Sequence, residues 1–264
     1  MKSIVLLGAG NVATRLALAL HKTDYQIIQV YNQHIGAAKI LAKKVSCSAT
    51  SNLSKLAAAD LYIMAVKDDA IPVLANQLKA LQIIPPKAIV AHTSGSQSSL
   101  ILESLTKHFG VIYPLQTLKK NRAIDFFEVP IAILGNTTTV RRKLHQLGRT
   151  ISKQTIIISD KQRLALHVAA VFANNFTHHM LVMAQAICIR HHLKWELLQP
   201  LIERTFIQAH EKNLVQLQTG PATRNDEKTI ASHMLLLSSS KEVKAMYKMI
   251  TKSIQSAAIK KIDL

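Results

Sequence analysis

The sequence predicts an α/β fold: a doubly wound, Rossmann-like domain over residues 1–158, followed by an all-helical domain over residues 159–264. Three observations predict it. A glycine-rich turn joins the first strand-like run to the first helix. Short apolar runs then alternate with amphipathic stretches, the mark of βαβα construction. Finally, Gly148 and the six glycines before it, with only Gly220 after it, leave the last third nearly free of turn residues.

The strand-like runs are residues 3–7, 26–31, 61–66, 88–93, 111–113, 130–134 and 155–158. They are continuous and apolar, which suits strands buried on both faces of a mostly parallel sheet. Between them, residues 12–21, 37–44, 69–81 and 138–149 carry helical spacing of apolar side chains. From Lys161 to Arg190 the chain runs without Gly or Pro, which predicts one long helix. Residues 195–217, with Pro200 in a first-turn position, and residues 226–259 predict two more.

Composition narrows the function classes. A hydrophobic fraction of 48% excludes disorder, and two cysteines exclude a disulfide scaffold. Cys47 and Cys188 are too far apart to suggest a metal site or a redox pair, and no metal is expected. No secretory signal or 18-residue apolar span is found, so a cytoplasmic protein with no membrane partner is expected. The formal net charge of +18 raises the question of nucleic acid. The basic residues are scattered, however, and lack aromatic interleaving; Lys241, Lys244, Lys248 and Lys252 have the spacing of a solvated helix face. A basic surface drawing in small anions is the favoured reading.

The most specific local signal is Gly8-Ala9-Gly10-Asn11-Val12-Ala13, a G-x-G-x-x-A turn between the first strand and the first helix. Gly8 permits the tight turn, Gly10 lets a pyrophosphate approach the backbone, and Ala13 lets helix and strand close up. The N–H groups of Asn11 and Val12, at the positive end of the helix dipole, hold the anion. At the end of the second strand, a dinucleotide site selective for NAD places an acid against the ribose hydroxyls. Here Tyr31-Asn32-Gln33-His34 stands instead, followed by Lys39, Lys43 and Lys44. Asn32 and Gln33 can donate to a 2′-phosphate, so NADP is favoured over NAD. Ala65 and Val66, and then Thr93, Ser94 and Gly95, fall at later strand ends, where open α/β sheets bind ligands.

Together, residues 8–13, 92–95, 113–117, 167–176 and 219–226 resemble the signature stretches of a bacterial family named as NADP oxidoreductases. Its members join a Rossmann-like domain to a helical domain of unknown function. The architecture is similar to pyrroline-5-carboxylate reductase and, more distantly, to the 6-phosphogluconate dehydrogenase C-terminal-like superfamily. That resemblance implies a nicotinamide cofactor and a homodimer formed through the helical domain. It also implies a small-molecule substrate contacted by the helical domain, without saying which. In the wider group a Lys-x-x-x-Asn pair on the first long helix does the chemistry, and this chain lacks it. His167, with Asn174 or Asn175, is the candidate replacement: the imidazole as acid, the amide as an orienting donor. Thr219, Gly220, Arg224, Asp226 and His233 are the candidate substrate contacts, with Arg224 able to clamp a carboxylate. Asp226 equally suits a helix cap. The function expected is NADP-dependent reduction of a C=O or C=N bond in a small anionic metabolite. The alternative is a regulatory or scaffold protein that binds NADP without turnover.

Overall fold

A computed structural model describes residues 1–259. The chain forms two compact units, Met1–Asn174 and Asn175 onward. The first holds an eight-stranded sheet in the order β3-β2-β1-β4-β5-β6-β7-β8. Its strands are β1 (Ser3–Leu7), β2 (Gln26–Tyr31), β3 (Ser48–Thr50), β4 (Leu61–Met64), β5 (Ile89–His92), β6 (Phe109–Pro114), β7 (Ile131–Gly135) and β8 (Thr155–Ile157). All neighbours pair in parallel except β6 and β7, which run antiparallel. The sequence runs located seven of these strands; β3, three residues long, is the addition.

The continuous apolar runs are explained by burial on two faces. Ile4, Leu6, Ile63 and Ala91 pack on one face with Leu16 of α1 (Asn11–Leu20), Leu41 of α2 (Ile35–Lys44) and Leu144 of α4 (Thr138–Ile151). Their strand neighbours Val5, Leu7, Tyr62 and Met64 pack on the other with Ile71 and Leu78 of α3 (Ala70–Leu81). Side chains alternate across a strand, so a run with no polar member needs cover on both sides. Each such aliphatic side chain contributes about 1.5–3 kcal/mol by leaving water.

Beyond β8, α5 (Asp160–Ala170) starts at a capping box: Ser159 Oγ accepts from Gln162 N, and Ser159 N donates to the Gln162 side chain. A π-helical segment, Val171–Phe176, separates it from α6 (Thr177–Arg190). The wider π turn changes the angular spacing of side chains along Val171–Phe176 relative to an α-helix.

In the second unit, a short 3₁₀ turn (Trp195–Leu198) leads to α7 (Gln199–Gln208). The helix expected to reach residue 217 stops here, because residues 209–219 are exposed and give it no apolar face to bury. The span 226–259 is likewise two helices, α8 (Glu227–Leu236) and α9 (Lys241–Ile259), with a 3₁₀ turn (Leu237–Ser239) between them. Ser238, Ser239 and Ser240 lie at the break, where serine hydroxyls compete for backbone partners. Arg190 Nη1 donates to Ser239 Oγ at 2.8 Å, and His233 Nδ1 lies 2.8 Å from the Tyr247 hydroxyl.

Candidate functional site

The turn after β1 is shaped by its glycines. Gly8 has φ +118°, and a Cβ there would lie 2.3 Å from the carbonyl oxygen of Ala65. Its N–H donates to Tyr31 O at 2.7 Å, fastening the turn to the end of β2. Gly10 is the N-cap of α1, and no side chain caps the helix. A Cβ at Gly10 would meet nothing within 4 Å, so the space over the exposed N–H groups is open. An uncapped helix start beneath open space is an anion site in waiting.

A cleft of about 760 Å³ opens there. Gly8, Gly10, Asn11, Val12, Asn32, Gln33, Ala65 and Val66 line it, together with Lys67 and Asp69. Its size falls in the range of small-molecule sites. These residues fit a dinucleotide: close backbone approach at Gly10, an unsatisfied helix start, and room alongside β2 and β4. The Asn11 side chain is engaged elsewhere, its Oδ1 accepting from Lys120 N at 3.0 Å. Arg15 donates to the carbonyls of Lys119, Lys120 and Arg122, so the basic 119–122 segment is tied beside α1.

No carboxylate stands at the end of β2. Asn32 Nδ2 donates to His34 O at 3.2 Å, and Gln33 is exposed. His34 is the N-cap of α2 but provides no side-chain cap, and the space over Gly36 is open. Of the three lysines that follow, Lys43 and Lys44 occupy the last turn of α2. There they complement the negative end of the helix dipole, about 13 Å from the start of α2.

Thr93, Ser94 and Gly95 do not line this cleft; they belong to a second cluster at the carboxyl ends of β5 and β6. Thr93 and Ser94 are buried. Arg163 of α5, 1% exposed, donates to the carbonyls of Ser94 and Gln97 and pairs with Asp160 at 2.6 Å. Asp160 Oδ2 accepts from Ser99 N at 3.0 Å and Ser99 Oγ at 2.7 Å. Partial burial alone would raise the Asp160 carboxyl, but the bonds from Arg163 and Ser99 outweigh it and hold the pKa below the usual value. Ser96 Oγ donates to Asp68 at 2.6 Å. His92, fully buried at the end of β5, accepts from Ser94 N through Nδ1; burial and the Arg163 charge push its pKa down to about 4.

His167 stands in the same cluster, its Nδ1 3.0 Å from the Tyr113 hydroxyl, with the two rings edge to face. Asn174 Nδ2 donates to Thr117 Oγ1 at 2.7 Å, while Asn175 is exposed. In the second unit, Thr219, Gly220 and Arg224 lie in the turn before α8. Asp226 caps that helix, accepting from Thr229 N at 3.1 Å, and its carboxyl is lowered by the Thr229 bonds. Sequence reasoning missed Arg163 and Asp160. The only signal was a charged pair three residues apart behind a capping serine.

Residues 2–116 match a Rossmann-like domain model, and residues 129–254 match a domain of unknown function, DUF2520. No curated protein matches the chain. Among solved structures, a putative NADP oxidoreductase from Bacteroides fragilis is 36% identical, with a TM-score of 0.86 over 97% of this chain and 98% of its own. A pyrroline-5-carboxylate reductase from Coxiella burnetii is 18% identical (TM-score 0.56; 97% of this chain and 96% of its own). An imine reductase variant from Myxococcus stipitatus, in complex with NAD⁺, is 15% identical (TM-score 0.65; 98% of this chain and all of its own). The last two share the fold. With more than a third of its residues shared along nearly its whole length, the chain belongs to the family of the Bacteroides protein, in which a Rossmann-like domain precedes a DUF2520 domain.

Proposed function

We propose that the protein is an NADP-dependent oxidoreductase that reduces a C=O or C=N bond of a small anionic metabolite. The observation that carries this reading is the uncapped start of α1 beneath open space at Gly10, inside a cleft with no acid at the end of β2. The backbone N–H groups following Gly10 hold the diphosphate, and Asn32 and Gln33 donate to the 2′-phosphate. The bound nicotinamide supplies the hydride. His167 donates the proton to the substrate heteroatom, with Asn174 and Asn175 as candidate orienting amides. Thr93, Ser94 and Gly95, outside the cleft lining but beside His167, are the candidates to border the nicotinamide. Arg224 is the candidate ligand for a substrate carboxylate, with Thr219, Gly220, Asp226 and His233 as the further substrate-binding candidates.

A homodimer through the helical unit is part of the same reading. Ile189, Leu193, Leu197 and Leu201 are each more than half exposed, an apolar surface that a second copy would cover. Light scattering at micromolar concentration, giving about twice the chain mass, is the expected result.

The test of function is calorimetry with NADPH and NADH, followed by NADPH oxidation over a panel of keto acids and cyclic imines. Tighter binding of NADPH with turnover of one class supports the proposal. Binding without any turnover supports the regulatory alternative, and the absence of binding removes both.

A further inference from the structure

Tyr113 is the penultimate residue of β6 and is 9% exposed. Its hydroxyl meets Nδ1 of His167 at 3.0 Å, and the rings cross edge to face with centroids 5.9 Å apart. Gly95 closes the third side. A Cβ on Gly95 would lie 2.5 Å from His167 Nδ1 and 2.9 Å from Tyr113 Cζ, so the two rings pack against bare backbone. Packing of this kind holds the Nδ1 edge of the imidazole against the Tyr113 hydroxyl. The ring atom left without a protein partner among the described residues is Nε2, and the imidazole is only half-buried.

We propose that Tyr113 is a positioning residue: its hydroxyl donates to Nδ1 and so holds neutral His167 as the Nε2–H tautomer, with Nε2–H presented as the donor. The inference rests on the oxidoreductase reading for its purpose, but not for its geometry. A phenol donates to a neutral imidazole only while it keeps its own proton. Burial raises the Tyr113 pKa, with the Arg163 charge opposing and the Asp68 charge reinforcing, and the net shift is upward. A donor on one ring nitrogen dictates that the ring proton sits on the other. Proton transfer from Nε2–H to the reduced heteroatom is then matched by the Tyr113 proton passing to Nδ1, which leaves a neutral imidazole and a phenolate. The Arg163 guanidinium stabilises that phenolate until solvent restores its proton.

The experiment is long-range ¹H–¹⁵N correlation of the full chain labelled at histidine nitrogen, at pH 8, for the wild type and Tyr113→Phe. His167 is assigned by its loss in His167→Gln. The wild type is expected to show Nδ1 unprotonated and Nε2 protonated. In Tyr113→Phe, which keeps the ring contact, a fraction protonated at Nδ1 is expected to appear. His92, fully buried in the same unit with its Nδ1 accepting from Ser94 N, serves as the internal control for intact folding and should not change. A wild-type spectrum with Nδ1 protonated overturns the proposal, as does a His167 pattern that Tyr113→Phe leaves unaltered. With any compound the wild type turns over, Tyr113→Phe should lose roughly tenfold in kcat at unchanged KM. Full kcat in a variant whose tautomer has shifted also overturns the positioning role. Absence of turnover by the wild type counts against the oxidoreductase reading alone, because the spectra decide the tautomer without it.

Discussion

Acid should weaken the first unit between about pH 6.5 and 4 through the side chain of His92. The imidazole is 0% exposed, lies beside the Arg163 guanidinium, and has its pKa lowered from 6.5 to about 4, chiefly by burial and then by that charge. Because the folded value lies below the unfolded one, the unfolded chain takes up the proton first as pH falls. Stability is therefore intact above about pH 6.5, declines through the window between 6.5 and 4, and loses no more from this group once the folded form also protonates. A shift of this size corresponds to about 3 kcal/mol, a large part of the margin of an ordinary domain. The comparison is with His92→Gln, which keeps an acceptor for Ser94 N but has no proton to gain. Urea unfolding is followed by hydrogen exchange of the β5 peptide, which reports on the first unit alone, at half-unit steps from pH 7.5 to 4. Between pH 7 and 4 the wild type should lose about 3 kcal/mol more than the variant. Parallel loss in the two proteins refutes the reasoning.

Four further outcomes are expected. Gly8→Ala should cost several kcal/mol or prevent folding, since its Cβ would meet the Ala65 carbonyl at a positive φ, whereas Gly10→Glu should fold normally and abolish NADPH binding in calorimetry. Asn32→Asp should reverse the coenzyme preference, weakening NADPH at least tenfold relative to NADH as measured by the ratio of Kd values, because a carboxylate repels a 2′-phosphate. Arg163→Met should destabilise the first unit by about 3–5 kcal/mol in urea titration, since it strands the carbonyls of Ser94 and Gln97 and the Asp160 carboxylate.

The parts of the molecule dictated locally were legible in the sequence. The glycine turn announces itself because Gly8 and Gly10 serve the backbone, not a distant partner. The continuous runs in β1, β4 and β5 announce a sheet covered on both faces for the same reason. The absence of an acid at the end of β2 is likewise a one-position observation. What escaped depends on partners far along the chain. Arg163 is buried because carbonyls 69 and 66 residues earlier receive its protons, and nothing near position 163 reveals them. Tyr113 stands within a signature stretch, but its bond to His167 spans 54 residues and nothing beside it in the chain announces that partner. The π turn at Val171–Phe176 has no composition signal, being a widening of a helix whose side chains still look α-helical. β3 carries a mere three residues, two of them hydroxylic, too few for any period to show.

The reversed direction of β7 decides where its preceding loop resides. In a wholly parallel sheet, the chain leaving β6 must travel to the opposite rim before starting the next strand. Because β7 runs against β6, residues 115–130 depart and return on one rim, the same one that carries the glycine turn. Lys119, Lys120 and Arg122 are thereby delivered next to α1 with no crossover helix between. Lengthening or recharging this loop would leave every strand pairing untouched while changing what stands against Asn11 and Arg15, so the surroundings of the first helix can be redesigned without disturbing the sheet.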